Sequence, residues 1–189
     1  MNVTKLYIRN MVCNRCKMAV ENILDELQLP AQAIELGEVI LKEPANEAQV
    51  KLLDTRLKEL GFDIIDDRKS QLIERIKNII VREVHYTDEQ KMINLSRQLA
   101  GELHHDYNYL STLFSEVTGT TIEKYQIAQK IERVKELLTY GELTLSQIAW
   151  DMGYSSVAHL SNQFKKVTGF TPSHFKSIGE QKRRPLDEV

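Results

Sequence analysis

Both cysteines of this 189-residue chain lie three positions apart, at Cys13 and Cys16. Two thiols at this spacing can bind a soft metal ion together or form a reversible disulfide. The positive charge of Arg15 between them favours the thiolate, which is the form that binds metal. Among soft ions we expect Cu(I) first, with Zn(II), Cd(II) or Hg(II) as alternatives. Two thiols also leave room for ligands from a second chain.

The segments around the cysteines alternate between strand and helix patterns over residues 1–67. A strand ends just before the pair, and the next helix would hold Cys16 in its first turn, where the helix dipole also favours a thiolate. The pattern predicts the order βαββαβ, a ferredoxin-like sandwich with one small core. The predicted elements are strand 5–10, helix 14–27, two strands within 32–43 around Gly37, helix 48–60 and strand 62–65.

The stretch Met11-Val12-Cys13-Asn14-Arg15-Cys16, together with Leu60-Gly61-Phe62, resembles heavy-metal-associated domains. Such domains occur in soft-metal chaperones and P-type ATPases, and the resemblance implies metal ligands at Cys13 and Cys16. The family motif has glycine where this chain has Asn10, which predicts a stiffer loop. Three other interpretations stay open: a redox-active pair, a metal-free dimerisation or partner-binding module, and a protein that only delivers metal.

A second feature is a passage that occurs twice, as LSTLFSEVTGTTIEKY at 110–125 and LSNQFKKVTGFTPSHF at 160–175. Apolar residues recur in both copies at the spacing of an amphipathic helix, and glycine ends each helix at Gly119 and Gly169. A shorter helical pattern and a tight turn precede each copy. The repeat therefore predicts two helix-turn-helix units.

The residues between the two helices of each unit are typical of turns and helix caps. In the first unit His104 occupies the turn and Asp106 is the predicted N-cap. The second unit turns at Gly153, with Ser155 or Ser156 as the predicted N-cap. Histidine tolerates left-handed backbone better than most residues, although at some cost in free energy.

The stretch 148–176, IAWDMGYSSVAHLSNQFKKVTGFTPSHFK, closely resembles the signature of the AraC/XylS family of bacterial transcription regulators. The resemblance extends over about residues 70–180, although the family usually has glycine at His104 and arginine at Lys130. It implies two helix-turn-helix units joined by one long helix, 121–139. The second helix of each unit would enter one of two successive major grooves of double-stranded DNA. By this resemblance the base-facing residues are Asn108, Ser111 and Thr112 in the first unit, and Val157, Ala158, Ser161 and Asn162 in the second.

Net charge gives no argument for DNA binding, since the chain carries −2 overall and its basic and acidic residues balance over 71–189. The distribution is more informative, because Lys165 and Lys166 follow the second recognition helix into range of DNA phosphates. The run Lys182-Arg183-Arg184 belongs to a predicted disordered tail, 181–189. Weak, salt-sensitive binding by a monomer is expected, which a homodimer on two half-sites would compensate.

A change of pattern near residues 66–70 marks the predicted boundary between two domains. Residues 1–67 form the ferredoxin-like module and residues 70–180 an all-α DNA-binding domain, so the predicted fold class is α+β. The second domain begins with a helix whose apolar stripe could transmit a rotation of the first domain or form a dimer contact. The stripe consists of Leu72, Ile73, Ile76, Ile79, Ile80 and Val84.

The remaining composition argues against several other classes of protein. There is no glycine-rich phosphate loop and no evident Ser/His/Asp arrangement, so we do not expect an enzyme. We see no signal peptide or transmembrane run, and therefore expect no membrane partner. A single Cys-x-x-Cys pair with no other cysteine fits a reducing cytoplasm, which is the predicted location.

Overall fold

The computed structural model describes residues 3–65, 67–86 and 94–181. Its first part contains strands and helices in the order βαββαβ, as the sequence predicts. These elements are β1 (Val3–Arg9), α1 (Asn14–Glu26), β2 (Ala31–Glu35), β3 (Glu38–Ala45), α2 (Glu47–Glu59) and β4 (Asp63–Ile64).

The four strands form one antiparallel sheet in the order β2-β3-β1-β4. Side chains alternate between the two faces of a strand, so β1 and β3 each present one apolar face to the helices. In register, Leu6 of β1 lies opposite Val39 of β3. The core joins this face to α1 and α2, and its most buried members are Ile8, Met11, Val20, Leu24, Val39, Leu53 and Leu57.

Helices make up the rest of the described chain. They are α3 (Arg68–His85), α4 (Leu95–Leu103), α5 (Tyr107–Thr118), α6 (Ile122–Tyr140), α7 (Leu145–Asp151), α8 (Val157–Thr168) and α9 (Pro172–Gln181). The pairs α4/α5 and α7/α8 are the predicted helix pairs, and α6 is the predicted long helix. Thr121 caps the start of α6 with its hydroxyl, and Gly141 ends it in the left-handed conformation.

The apolar stripe of α3 is buried within the chain along its whole length. Ile76 and Ile80 are fully buried, and the polar neighbours of the stripe are also engaged. The side-chain amide of Asn78 donates a 2.9 Å hydrogen bond to the carbonyl oxygen of Leu36. The stripe therefore serves the fold of the chain itself and is not a surface for a dimer contact.

By compactness the chain divides into two units. One consists of Met1–Ile79 and Leu99–Val117, and the other of Ile80–Gln98 and Thr118–Val189. The predicted domain limits, 1–67 and 70–180, stay predictions, although α3 begins at the predicted boundary. Of the predicted disordered tail, 181–189, Gln181 is the last residue of a helix, and the rest lies outside the described residues.

The second compact unit has its own apolar core, formed by α6, α7 and α8. Its fully buried members include Ile131, Val134, Ile148, Leu160 and Phe164. Phe164 also packs edge-to-face on Phe175 of α9, with ring centroids 5.6 Å apart.

Some residues of the predicted apolar faces lie at the surface. Val117 and Val167 are 50% and 47% exposed, because both lie in the last turn of their helix. Leu60, the last residue of the predicted helix 48–60, is 56% exposed as the C-cap of α2. In the described ranges no helix combines the length and the apolar character needed to span a bilayer.

Candidate nucleic-acid interface and thiol site

The second helix-turn-helix unit consists of α7, a turn and α8. The hydroxyl of Thr144 caps the start of α7. Gly153 supplies the left-handed backbone of the turn, with φ of 70°. The Ser156 hydroxyl then accepts a 3.1 Å hydrogen bond from the backbone N–H three residues further on and caps α8. Of the two predicted caps, Ser155 and Ser156, the structure selects Ser156.

Lys130 of α6 holds the turn of this second unit. Its Nζ donates a 2.8 Å hydrogen bond to the carbonyl oxygen of Met152 and lies 5.6 Å from the ring centroid of Tyr154. Burial lowers the pKa of Lys130 and raises the pKa of Tyr154. The buried Tyr154 hydroxyl has no hydrogen-bond partner in the part of the chain that the structure describes. Sequence analysis missed this clamp, because 22 residues separate Lys130 from Met152.

The first unit consists of α4, a shorter turn at 104–106 and α5. His104 adopts a φ of 55°, in the left-handed region that its place in the turn predicts. Asp106 caps α5, because its Oδ1 accepts a 2.8 Å hydrogen bond from the backbone N–H of Asn108. The predictions for both turn residues are confirmed.

The residues predicted to face DNA bases lie on α5 and α8, which we call the recognition helices. Ser111 and Ser161 occupy equivalent positions 50 residues apart, and both are half-buried. Val157 is also half-buried and packs against the core of the second unit, so part of its surface is committed to packing. The exposed members of the set are Asn108, Thr112, Ala158 and Asn162.

Helix α8 carries lysines in its last turn and a histidine in its first turn. Lys165 and Lys166 are exposed in its last turn, as predicted, whereas Lys182-Arg183-Arg184 lies outside the described residues. His159, which the sequence analysis missed, is exposed in the first turn. Its Nδ1 lies 3.2 Å from the Ser155 hydroxyl, and its ring packs edge-on against Tyr154. Its position directly after Ala158 is the signal that could have identified it.

The thiol pair lies where β1 ends and α1 begins. Cys13 is the N-cap residue of α1, Cys16 lies in its first turn, and their sulfur atoms are 3.3 Å apart. Asn10 has φ of 70°, a conformation that glycine adopts freely, and its Nδ2 donates a 2.9 Å hydrogen bond to the carbonyl oxygen of Gly61. Asn10 thus has the left-handed backbone that a glycine would adopt at this position, and its side chain adds a hydrogen bond to the turn between α2 and β4.

Opposing effects act on the thiol of Cys13. Burial raises its pKa, but the backbone N–H and thiol of Cys16, together with the backbone N–H and charge of Arg15, outweigh this and hold the pKa below its usual value. Cys13 therefore carries more thiolate near neutral pH than a free cysteine does. Within residues 3–65, 67–86 and 94–181 no cluster of three or more His, Cys, Asp and Glu forms a metal site.

Comparison with known proteins places a family match on the helical part of the chain. Residues 99–178 match the family model of the helix-turn-helix domain, a range that includes both α5 and α8. The uncharacterized HTH-type transcriptional regulator YtdP of Bacillus subtilis (strain 168) is 25% identical over 121 residues, 64% of this chain and 15% of YtdP. An uncharacterized HTH-type transcriptional regulator of Staphylococcus aureus (strain MSSA476) is 29% identical over 111 residues, 59% of this chain and 14% of that protein.

These relatives are far longer than the region they share with this chain, which spans about 15% of YtdP. Among solved structures, the C-terminal domain of AraT, a response regulator from Geobacillus stearothermophilus, matches with a TM-score of 0.50 and 23% identity. The match covers 65% of this chain and 94% of that domain, and at this identity it shows a shared fold. Together with the family match it confirms the predicted helix-turn-helix units.

Proposed function

We propose that this chain, whose residues 99–178 match the helix-turn-helix domain model, is a sequence-specific DNA-binding transcription regulator of the AraC type that responds to a soft metal ion. The observation that carries the DNA-binding part is that the predicted base-facing positions are exposed at equivalent places on α5 and α8, as the pairs Asn108/Ala158 and Thr112/Asn162. Asn108 and Thr112 lie exposed on the first recognition helix, and Asn162 on the second. Such surfaces on the second helix of each unit are where this motif contacts DNA.

The chemistry of these side chains suits reading of base edges. Asn162 or Asn108 can form two hydrogen bonds to an adenine, and the hydroxyls of Ser161 and Ser111 can bond either kind of base. Ala158 offers a methyl group to thymine, as does the part of Val157 that the core leaves uncovered. Lys165 and Lys166 would bind phosphates and fix the register of α8 without reading sequence.

Selection of bound duplexes from a random DNA pool, followed by affinity measurement at several salt concentrations, tests this assignment. We expect Asn162→Ala to change the preferred base at one position at a cost of about 1–3 kcal/mol. Lys165→Ala should weaken binding to all sequences and reduce the salt slope by about 1. Lys51→Ala, which removes an equally exposed lysine on α2, is the matched control and should change neither property. A uniform loss of affinity for Asn162→Ala would contradict the base-reading role.

The metal response is supported by the thiol site. The two sulfurs lie 3.3 Å apart at the start of a helix, and the pKa of Cys13 is held below its usual value. Soft thiolates favour Cu(I), with Zn(II), Cd(II) and Hg(II) as competitors. An ion held by only two thiolates can take further ligands from a second chain. The element order βαββαβ and the strand order β2-β3-β1-β4 support the assignment of a ferredoxin-like, heavy-metal-associated type of module.

Replacing Cys13 and Cys16 with serine in the full chain tests the sensing role. Cu(I) and Zn(II) are titrated against a competing chelator, and affinity for the selected duplex is measured with and without metal. We expect metal binding and the metal-dependent change in DNA affinity to disappear together, while affinity of the metal-free protein stays the same. A metal response that persists in the double serine variant contradicts the proposal. Serine at the exposed Met18 of α1 provides a control for altered polarity near the site.

The other interpretations of the pair give different results in the same titration. A redox role would change DNA affinity when the protein is oxidised in the presence of a chelator that removes metal, because the two sulfurs are close enough to form a disulfide. A metal-free dimerisation or partner-binding module would bind neither ion. A metal-delivery protein would bind Cu(I) and leave every duplex of the pool unbound.

A further inference from the structure

We infer that the first compact unit contains a binding site for a small organic anion, separate from the thiols and from the base-facing residues. The site is a cleft of about 280 Å³ formed by one face of α3, the start of α5 and β1. Its charged and aromatic lining consists of Tyr7, Arg68, Lys69, Arg75, His105 and Tyr109. All of these residues belong to the unit Met1–Ile79 and Leu99–Val117.

The helical period of α3 places the two arginines on the same side of the helix. Arg68 and Arg75 are seven positions, or about 10.5 Å of helix, apart, and both line the cleft together with Leu72. Guanidinium groups bind carboxylate and phosphate through paired N–H donors and keep their charge at every physiological pH. Two of them on one wall of a concave site make that wall cationic.

Among the described residues, no acidic side chain lines this wall. The described carboxylates next to the two arginines in the sequence have partners of their own. Asp67 accepts from the backbone N–H of Ser70 at 2.8 Å, and Glu74 pairs with Lys77 at 2.8 Å. In the described part of the chain, Arg68 and Arg75 form no ion pair. A concave wall of uncompensated positive charge attracts small anions.

The aromatic residues define the second property of the ligand. Tyr109 stacks at an inclined angle on His105, with ring centroids 5.3 Å apart, and half of its surface stays exposed. Tyr7 faces the same cleft from β1. Together the rings offer an apolar surface beside the cationic wall, which suits a ligand with a planar or apolar body and one anionic group. The volume of about 280 Å³ lies just below the range of about 300–1,000 Å³ that is usual for small-molecule sites, which favours a small ligand.

The position of the cleft links it to the first recognition helix. His105 lies in the turn before α5 and Tyr109 in the first turn of α5, next to the exposed Asn108. A ligand that contacts both α3 and these residues would favour one placement of α5 over others. This coupling to DNA binding rests on the proposed function, whereas binding of the anion does not.

Calorimetry on the full chain with phenyl phosphate, benzoate and inorganic phosphate at constant ionic strength tests the site. Phenyl phosphate carries both the anion and the ring, benzoate tests carboxylate as the anionic group, and inorganic phosphate lacks the ring. We expect at least one of the two ring-bearing anions to bind more tightly than inorganic phosphate. Arg68→Gln combined with Arg75→Gln should weaken that binding by at least tenfold. Lys42→Gln with Lys51→Gln removes the same charge from exposed positions of the first unit and should leave binding unchanged.

Several outcomes would overturn the inference. These are no binding of any probe at millimolar concentration, equal weakening in the lysine control, or loss of DNA affinity in the arginine variant with no anion binding in the wild type. The last result would assign the wall to DNA phosphates. Circular dichroism of the arginine variant shows whether it is folded, and Tyr109→Leu gives a second test, since it should weaken phenyl phosphate and spare inorganic phosphate. Gel shifts with and without the bound probe then measure the coupling separately.

Discussion

The two helix-turn-helix units share a sequence repeat, yet their turns are stabilised by different means. In the second unit Gly153 supplies the left-handed residue, and Lys130 reaches from another helix to bond the turn. In the first unit the turn is shorter, and His104 takes the left-handed conformation. The helices keep the same positions for buried and exposed residues because they carry the repeat. The repeat therefore extends over the helix faces and not over the turns that join them.

The strongest test of the similarity between the two helix-turn-helix units is the loss of stability expected on truncation of their buried phenylalanines. Phe114 of α5 and Phe164 of α8 are both fully buried at equivalent positions. Phe114→Ala and Phe164→Ala should each reduce the free energy of unfolding in urea by about 3–5 kcal/mol. Val117→Ala and Val167→Ala, at the exposed matched positions, should stay within about 0.5 kcal/mol. A small loss for only one of the phenylalanines would show that the two units are packed differently.

The second effect concerns the left-handed turn residues and has opposite signs in the two units. Gly153→Ala should destabilise the protein by about 1–2 kcal/mol, because a Cβ at φ of 70° is strained. Space is not the reason, since the nearest atom to that Cβ is the Lys130 Nζ at 3.6 Å. His104→Gly should stabilise by about 0.5–1 kcal/mol, because it relieves the same strain at some cost in chain entropy. Thermal unfolding measures both changes.

A matched control for these variants lies in α4. Gly101 has an ordinary helical conformation and open space around its Cβ position, so Gly101→Ala should stabilise by about 0.5–1 kcal/mol. If Gly153→Ala behaved like Gly101→Ala, the left-handed conformation assigned to the second turn would be incorrect.

A smaller effect is expected at the caps of the recognition helices. Asp106→Ala and Ser156→Ala each remove one side-chain acceptor for an N-terminal backbone N–H and should cost about 1 kcal/mol. Ser155→Ala leaves the cap intact and should change stability by less than about 0.5 kcal/mol. Equal losses at Ser155 and Ser156 in chemical denaturation would argue against the assignment of the cap.

The smallest effect is the pH dependence that Lys130 adds to the second unit. Burial lowers the pKa of Lys130 from 10.5, so between the lowered value and 10.5 the unfolded chain holds more protons than the folded one. Stability should therefore rise with pH through this window, which lies on the alkaline side. Lys130→Met lacks the group and should lack the rise. Urea unfolding of both proteins, compared below pH 10 to avoid ionisation of Tyr154, measures the difference. Parallel pH profiles would show that Lys130 is not desolvated.

The sequence predicts helices and strands well wherever the regular spacing of apolar residues continues over a long stretch. The βαββαβ order, the buried stripe of α3 and the repeated helices follow from apolar spacing, because burial of one face dominates their free energy. The same reasoning fails at helix ends, where Val117 and Val167 keep the apolar period but lie beyond the core.

The candidate sites were predictable in a similar, partial way. The thiol pair and the polar face of α8 depend on local spacing, so the sequence identifies them. The Lys130 clamp and the arginine-lined cleft depend on which elements meet in three dimensions, which spacing within one segment does not reveal. His105 and Arg75 are 30 positions apart and come together only through the packing of α3 and α5.

Asn10 has a consequence for the order of the loop that carries the thiols. Its side chain fastens the loop before Cys13 to a carbonyl 51 residues away, at Gly61. Met11, between Asn10 and Cys13, is fully buried in the core, so the amide bond and this packing together hold the loop against the turn that precedes β4. Asn10→Gly would remove the amide bond while still allowing the left-handed backbone, and would show how far that one bond orders the two sulfurs.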